Sequence, residues 1–126
     1  MCKVAIICGS KALALKRSRL VIYHPMRWDL AGGAADSGET IEEAASRESL
    51  EEAGVAIDTN KLNLINTQSK LIDGEPTHRF CFSYIVKEEF EPKLSFEHSG
   101  FEWVDIKELD KIDLPDFYKD CIRKVI

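Results

Sequence analysis

No stretch of this sequence is apolar enough to cross a bilayer. The run Val4–Cys8 is too short for a span and too short for the core of a secretion signal. A cytoplasmic chain with no membrane partner is therefore expected. The four cysteines are scattered: Cys2, Cys8, Cys81 and Cys121 include no C-x-x-C pair, and that lack argues against a structural zinc site. Thiols spaced in this way are expected to be reduced, and those in strands to be buried and inert. A basic excess is also missing. Acids outnumber bases 22 to 17, for a formal net charge of −5. Such a chain is a poor partner for a nucleic-acid polymer, although it can take a small phosphorylated ligand if cations offset the charge. No repeat, low-complexity tract or linker divides the 126 residues, so one domain over 1–126 with one core is expected.

What the chain does have is concentrated between Gly32 and Val55, which reads GGAADSGETIEEAASRESLEEAGV. Thr40 is a good helix N-cap, and Glu43 three places on completes a capping box. Gly54 stands where a left-handed C-terminal residue is wanted. These signals predict a helix over Ile41–Ala53. At about 100° per residue, Ile41, Ala44 and Ala45 mark its inner face, and Glu48, Glu51 and Glu52 fall on the same side. Carboxylates three and four apart repel one another, and here they lie near the negative end of the helix dipole. A solvated acidic face is one explanation. A shared hard divalent cation, Mg²⁺ or Mn²⁺, is the other. Arg47, one turn from both Glu43 and Glu51, can brace the acids from the side.

The spacing Gly33, five residues, Glu39, seven residues, Arg47-Glu48, two residues, Glu51-Glu52, one residue, Gly54-Val55 resembles the Nudix box. The preceding Trp28-Asp29-Leu30-Ala31-Gly32-Gly33 is similar to the family's usual W-x-L-P-G-G lead-in. Ala31 replaces the common proline, and Ser49 stands where an aliphatic residue is usual; neither change touches a charged position. The resemblance implies an α/β fold, a Nudix-type α/β/α sandwich with a central mixed β-sheet. It implies a Mg²⁺- or Mn²⁺-dependent hydrolase that cleaves the pyrophosphate bond of a nucleoside diphosphate linked to another group. By the same resemblance Glu51 and Glu52 hold the metal, with Glu48 as ligand or water-activating base. The backbone carbonyl of Gly32 joins them, Arg47 orients the acids, and Glu39 supports a ligand or a further ion.

The remaining chain supplies elements and candidates. Lys3–Cys8 and Ala12–Lys16 read as strands, and Arg17 at the end of the second can reach a diphosphate or be plain surface charge. Leu20–Tyr23 also looks strand-like before His24-Pro25 interrupts it. Tyr23, His24, Arg27 and Trp28 precede the box, where the resemblance places substrate-shaping residues. Trp28–Ala31 reads as a short strand. Leu62–Ile72 and Thr77–Val86 pair around Asp73-Gly74, a strong hairpin signal. Phe80, Phe82 and Tyr84 share one face of the second strand; that stripe is core, or Phe80 or Phe82 stacks on a nucleobase. Glu97, before the strand Phe101–Val104, matches by resemblance an acid that completes the metal site or serves as base, with Glu91 and Glu102 as alternatives. A last helix follows Pro115.

The substrate class stays open. A chain with only the core elements leans to nucleoside triphosphates, including oxidised dNTPs. ADP-ribose, nucleotide sugars and dinucleoside polyphosphates are the alternatives, as is a non-catalytic nucleotide-binding module of the same fold. Family members are often homodimers.

Overall fold

The computed structural model describes Met1–Ile126. Its centre is β1 (Cys2–Cys8), an almost wholly buried strand. Beside it run β2 (Lys11–Arg17), antiparallel after the Gly9-Ser10 turn, and β6 (Glu75–Ile85), parallel with Cys2 opposite Phe80 and Ile7 opposite Ile85. β5 (Asn63–Ile72) joins β6 through Asp73 and Gly74, which both adopt positive φ, as a tight hairpin turn requires. β7 (His98–Asp105) lies along β2. One parallel pairing among antiparallel ones makes the sheet mixed, as expected.

The lead-in to the glycines is two strands rather than one. β3 (Trp28–Asp29) pairs with β2, and β4 (Ala31–Gly33) pairs with β1. The chain steps from one neighbour to the other across Leu30. The strand expected over Leu20–Tyr23 does not form. Residues 18–27 leave β2 and return to it, closed by hydrogen bonds from the Arg17 N–H to the Arg27 carbonyl and from the Met26 N–H to the Arg17 carbonyl. His24 and Met26 take positive φ, which breaks the extended path, and Leu20, Ile22 and Tyr23 stand exposed.

Alternation along β1 divides the interior in two. Cys2, Val4 and Ile6 pack with Leu13, Leu15 and Phe82 beneath α1 (Ile41–Ala53). Ala5 and Ile7 pack with Cys81 and Val104 beneath α2 (Asp116–Val125), through Phe117, Tyr118, Cys121 and Ile122. No helix is long and apolar enough to cross a membrane.

Both ends of α1 follow the sequence signals. The Thr40 side chain accepts from the Glu43 N–H, and the Glu43 carboxylate accepts from the Thr40 N–H. Gly54 closes the helix in the left-handed region, its N–H donating to the Leu50 carbonyl. Ser49 is fully buried in this helix, and its hydroxyl has no hydrogen-bond partner. A buried polar group without a partner costs about 1–3 kcal/mol. Ser49→Ala should therefore raise the unfolding free energy by about 1 kcal/mol, read as a higher urea midpoint at unchanged slope.

Candidate active site

The site is built around the β4 glycines. Pairing with β1 sets Gly32 opposite Lys3 and Gly33 opposite Cys2. Gly32 has φ +139°, and a Cβ there would lie 2.0 Å from the Cys2 carbonyl oxygen. A Cβ on Gly33 would lie 2.6 Å from the Glu48 carboxyl carbon. The first glycine lets two backbones meet. The second leaves room for an acid of the helix.

At the N–H of Gly32 stands Glu52. Its residue surface is 6% exposed, and its Oε2 accepts the Gly32 N–H at 3.1 Å. Burial pushes its pKa up to about 7, against the opposing pull of the Lys3 charge and the Gly32 N–H. On the other side the Gly32 carbonyl accepts from the Lys3 Nζ at 3.1 Å. That ammonium is itself buried and donates also to Asp29 Oδ2 (3.0 Å) and the Leu30 carbonyl (3.3 Å). Burial opposes its charge, but Asp29, Tyr118 and Glu52 outweigh that, and its pKa is raised. One glycine residue thus separates a buried acid from a buried base.

Arg47 gathers the remaining acids. It donates to both oxygens of Glu39 at 2.8 and 3.0 Å, to Glu48 Oε1 at 2.9 Å, to Glu51 Oε2 at 3.3 Å and to the Ala34 carbonyl at 3.1 Å. These bonds, to Glu39 first and Glu48 next, raise its own pKa and hold that of Glu39 below the usual range. The bracing role is therefore more extensive than one helix turn, and Glu39 is its principal partner. Glu48 is mostly covered, whereas Glu51 is largely exposed. The acids do not already converge as a cluster of three with metal-ligand spacing. The loop carrying Glu97 hangs from the end of the helix, the Ser95 N–H donating to the Glu52 carbonyl (3.2 Å) and the Lys93 N–H to that of Ala53 (2.9 Å). The Glu97 carbonyl accepts from the Ser18 N–H at 2.7 Å.

The donor set fits a hard divalent cation. Glu48, Glu51, Glu52 and the Gly32 carbonyl are all oxygen ligands, with no thiolate or imidazole among them. Glu52 has a single N–H donor for a buried carboxylate, and the missing Cβ of Gly33 keeps open the space at Glu48. The raised pKa makes a prediction. Glu52 binds a proton in the folded chain up to about pH 7, but in the unfolded chain only up to about 4.5. The stability this proton confers is full below about pH 4.5 and is lost as pH rises through about 7. Metal-free protein should lose about 3 kcal/mol across that window on account of this group, and Glu52→Gln should flatten the slope. Urea titrations at a series of pH values test this.

A cavity of about 620 Å³ opens beyond Lys3 and Asp29, on the α2 side of the sheet. Arg17, Arg27 and Trp28 line it, as do Tyr23 and His24. Arg17 is held there by bonds to the Tyr23 carbonyl (3.0 Å) and Asp29 (3.3 Å), and Arg27 grips Asp113 with two bonds of 2.9 Å. Phe80 is not part of this cavity. Its position on β6 turns it to the α1 side, where it packs against the core of Val4, Ile6 and Phe82. Lys3, Asp29 and Tyr118 were not anticipated, although a lysine beside the apolar run of β1 was a visible anomaly. His98, 5% exposed, was also missed; burial lowers its pKa to about 4, and neither ring nitrogen has a partner.

The model of the NUDIX domain matches residues 3–125. A MutT protein from Methanosarcina mazei Go1 superposes with a TM-score of 0.80 at 23% identity, over 97% of this chain and 88% of that one. The dihydroneopterin triphosphate pyrophosphohydrolase of E. coli gives 0.79 at 22% identity, over 97% and 90%. At these identities the likeness is one of fold. The oxidized purine nucleoside triphosphate hydrolase of Mus musculus is 54% identical over 33 residues, 26% of this chain and 21% of that protein. The matched stretches span a fifth to a third of the length of these curated relatives.

Proposed function

The chain belongs to the Nudix family, and on that premise we propose that it is a Mg²⁺-dependent pyrophosphohydrolase acting on a nucleoside diphosphate linked to another group. The observation that carries the reading is the backbone of Gly32, its N–H and its carbonyl. It joins the cavity, through Lys3, to the acids of α1, through Glu52. A substrate whose nucleoside fills the cavity would lay its diphosphate across this junction.

Each side chain then has a task. Glu52, Glu51 and Glu48, together with the Gly32 carbonyl, would hold the cation, Mg²⁺ or Mn²⁺. When bound, it supplies neutralisation of the phosphate oxygens and a water of lowered pKa. Arg47 keeps Glu48 and Glu51 from splaying apart, and Glu39 fixes Arg47 in turn. Glu48 or Glu97 accepts the proton of the attacking water. Lys3 holds the Gly32 carbonyl and Asp29 in place, and Arg17 presents its guanidinium to the phosphates or to the nucleoside. Catalysis by such a site is mostly positioning and electrostatics.

The likeness to the murine oxidized purine nucleoside triphosphate hydrolase favours nucleoside triphosphates, oxidised purines included, as first substrates to try. The test is a Mg²⁺-dependent phosphate-release screen over dNTPs, 8-oxo-dGTP, ADP-ribose, dinucleoside polyphosphates and nucleotide sugars, run beside calorimetric titration with and without Mg²⁺. Release from at least one compound is expected. Binding without release from any would make the chain a nucleotide-binding module instead.

A further inference from the structure

The cavity is strongly basic in an acidic protein. The chain carries a net charge of −5, yet six charged side chains line this pocket and five of them, Lys3, Arg17, Arg27, Lys70 and Arg79, are cationic. Asp29 is the one acid, and it is shared by Lys3 and Arg17. Arg27 is matched by Asp113. That leaves Lys70 and Arg79, which make no ion pair and no side-chain hydrogen bond. Lys70 lies opposite Thr77 on the β5–β6 hairpin, and Arg79 lies opposite Gln68, so the two cations are diagonal neighbours on the cavity face. Trp28, at the other edge of the sheet, lines the same cavity and offers aromatic surface to a base.

We propose that Lys70 and Arg79 form a subsite for a phosphate beyond the pair that flanks the scissile bond, so that the preferred ligand is a nucleotide with an additional phosphoryl group. The two cations have no ion-pair partner within the chain, and they line the cavity to which the proposed function assigns the nucleoside. A planar guanidinium and a flexible ammonium on one face suit a tetrahedral dianion. The extra phosphate is carried on the ribose, because a lengthened 5′ chain would leave the cavity across Gly32, away from Lys70 and Arg79. The inference rests on the nucleotide-hydrolase reading for the identity of the ligand, but its test needs no turnover.

The test is calorimetry in EDTA with AMP as reference. Adenosine 2′,5′- and 3′,5′-bisphosphate are the test ligands, and ADP and ATP, whose added phosphates leave the cavity at the 5′ end, are the comparison. At least one bisphosphate should bind ten times more tightly than AMP. Lys70→Ala combined with Arg79→Ala should bring that ligand to the affinity of AMP, whereas Lys107→Ala, outside the cavity, should leave the preference intact. Equal binding of all ligands, or a preference that survives the double variant, would overturn the subsite. Mg²⁺-dependent phosphate release by the same preparations is scored separately. A hydrolase with no such preference loses only the subsite, and a preference without release loses only the hydrolase.

Discussion

Glu52→Gln should lower turnover by about a thousandfold, about 4 kcal/mol in the barrier, while leaving the fold at least as stable as before. The two halves of this expectation have one cause. Glutamine keeps the shape of the side chain and an oxygen to accept the Gly32 N–H, but it cannot offer a charged ligand to a divalent cation. Without the cation, that charge is a burden, because burial raises the Glu52 pKa to about 7. At pH 8 the metal-free variant should be more stable than the parent by about 3 kcal/mol, the same free energy that the parent loses as its carboxylate ionises. Steady-state kinetics in Mg²⁺ and urea unfolding in EDTA measure the two effects. A purely structural acid would behave oppositely, with stability and activity falling together. Unchanged turnover would remove Glu52 from the site.

The same residue shows which parts of the molecule were legible beforehand. The limits of α1 were readable because both ends are set by local chemistry, the Thr40–Glu43 box and the left-handed Gly54. The acidic face was readable because helical periodicity alone brings Glu48, Glu51 and Glu52 together. Lys3 and Asp29 were not, since they meet only after β3 and β4 pair with different strands. Nothing within a few residues of either announces the contact. Phe80 illustrates a subtler gap. Alternation assigns it to the face of Phe82 and Tyr84, but it does not say which face of the sheet will be hollow. The cavity lies on the opposite side, with Lys70, Thr77 and Arg79. Residues 18–27 were misread because Leu20–Tyr23 has strand-like composition, whereas the positive φ of His24 and Met26 is a consequence of the return to β2.

Gly32→Ala and Gly33→Ala are adjacent, chemically identical changes, and they should fail in different ways. At Gly32 the new methyl group meets backbone: the Cys2 carbonyl oxygen at 2.0 Å and the Lys3 Cα at 2.8 Å. Neither can move without parting β4 from β1, and the φ of +139° is itself strained for alanine. A loss of about 3–5 kcal/mol is expected, a large share of the roughly 5–15 kcal/mol by which a domain is stable. At Gly33 the three nearest atoms all belong to the Glu48 carboxylate, the far end of a flexible side chain. That group can swing aside, so Gly33→Ala should keep most of its stability and lose turnover, because Glu48 is pushed off the position where Arg47 holds it. Urea unfolding and phosphate release, measured on both variants, separate the two. If Gly33→Ala unfolded as readily as Gly32→Ala, the space at Glu48 would belong to the fold and not to the acids that the fold presents.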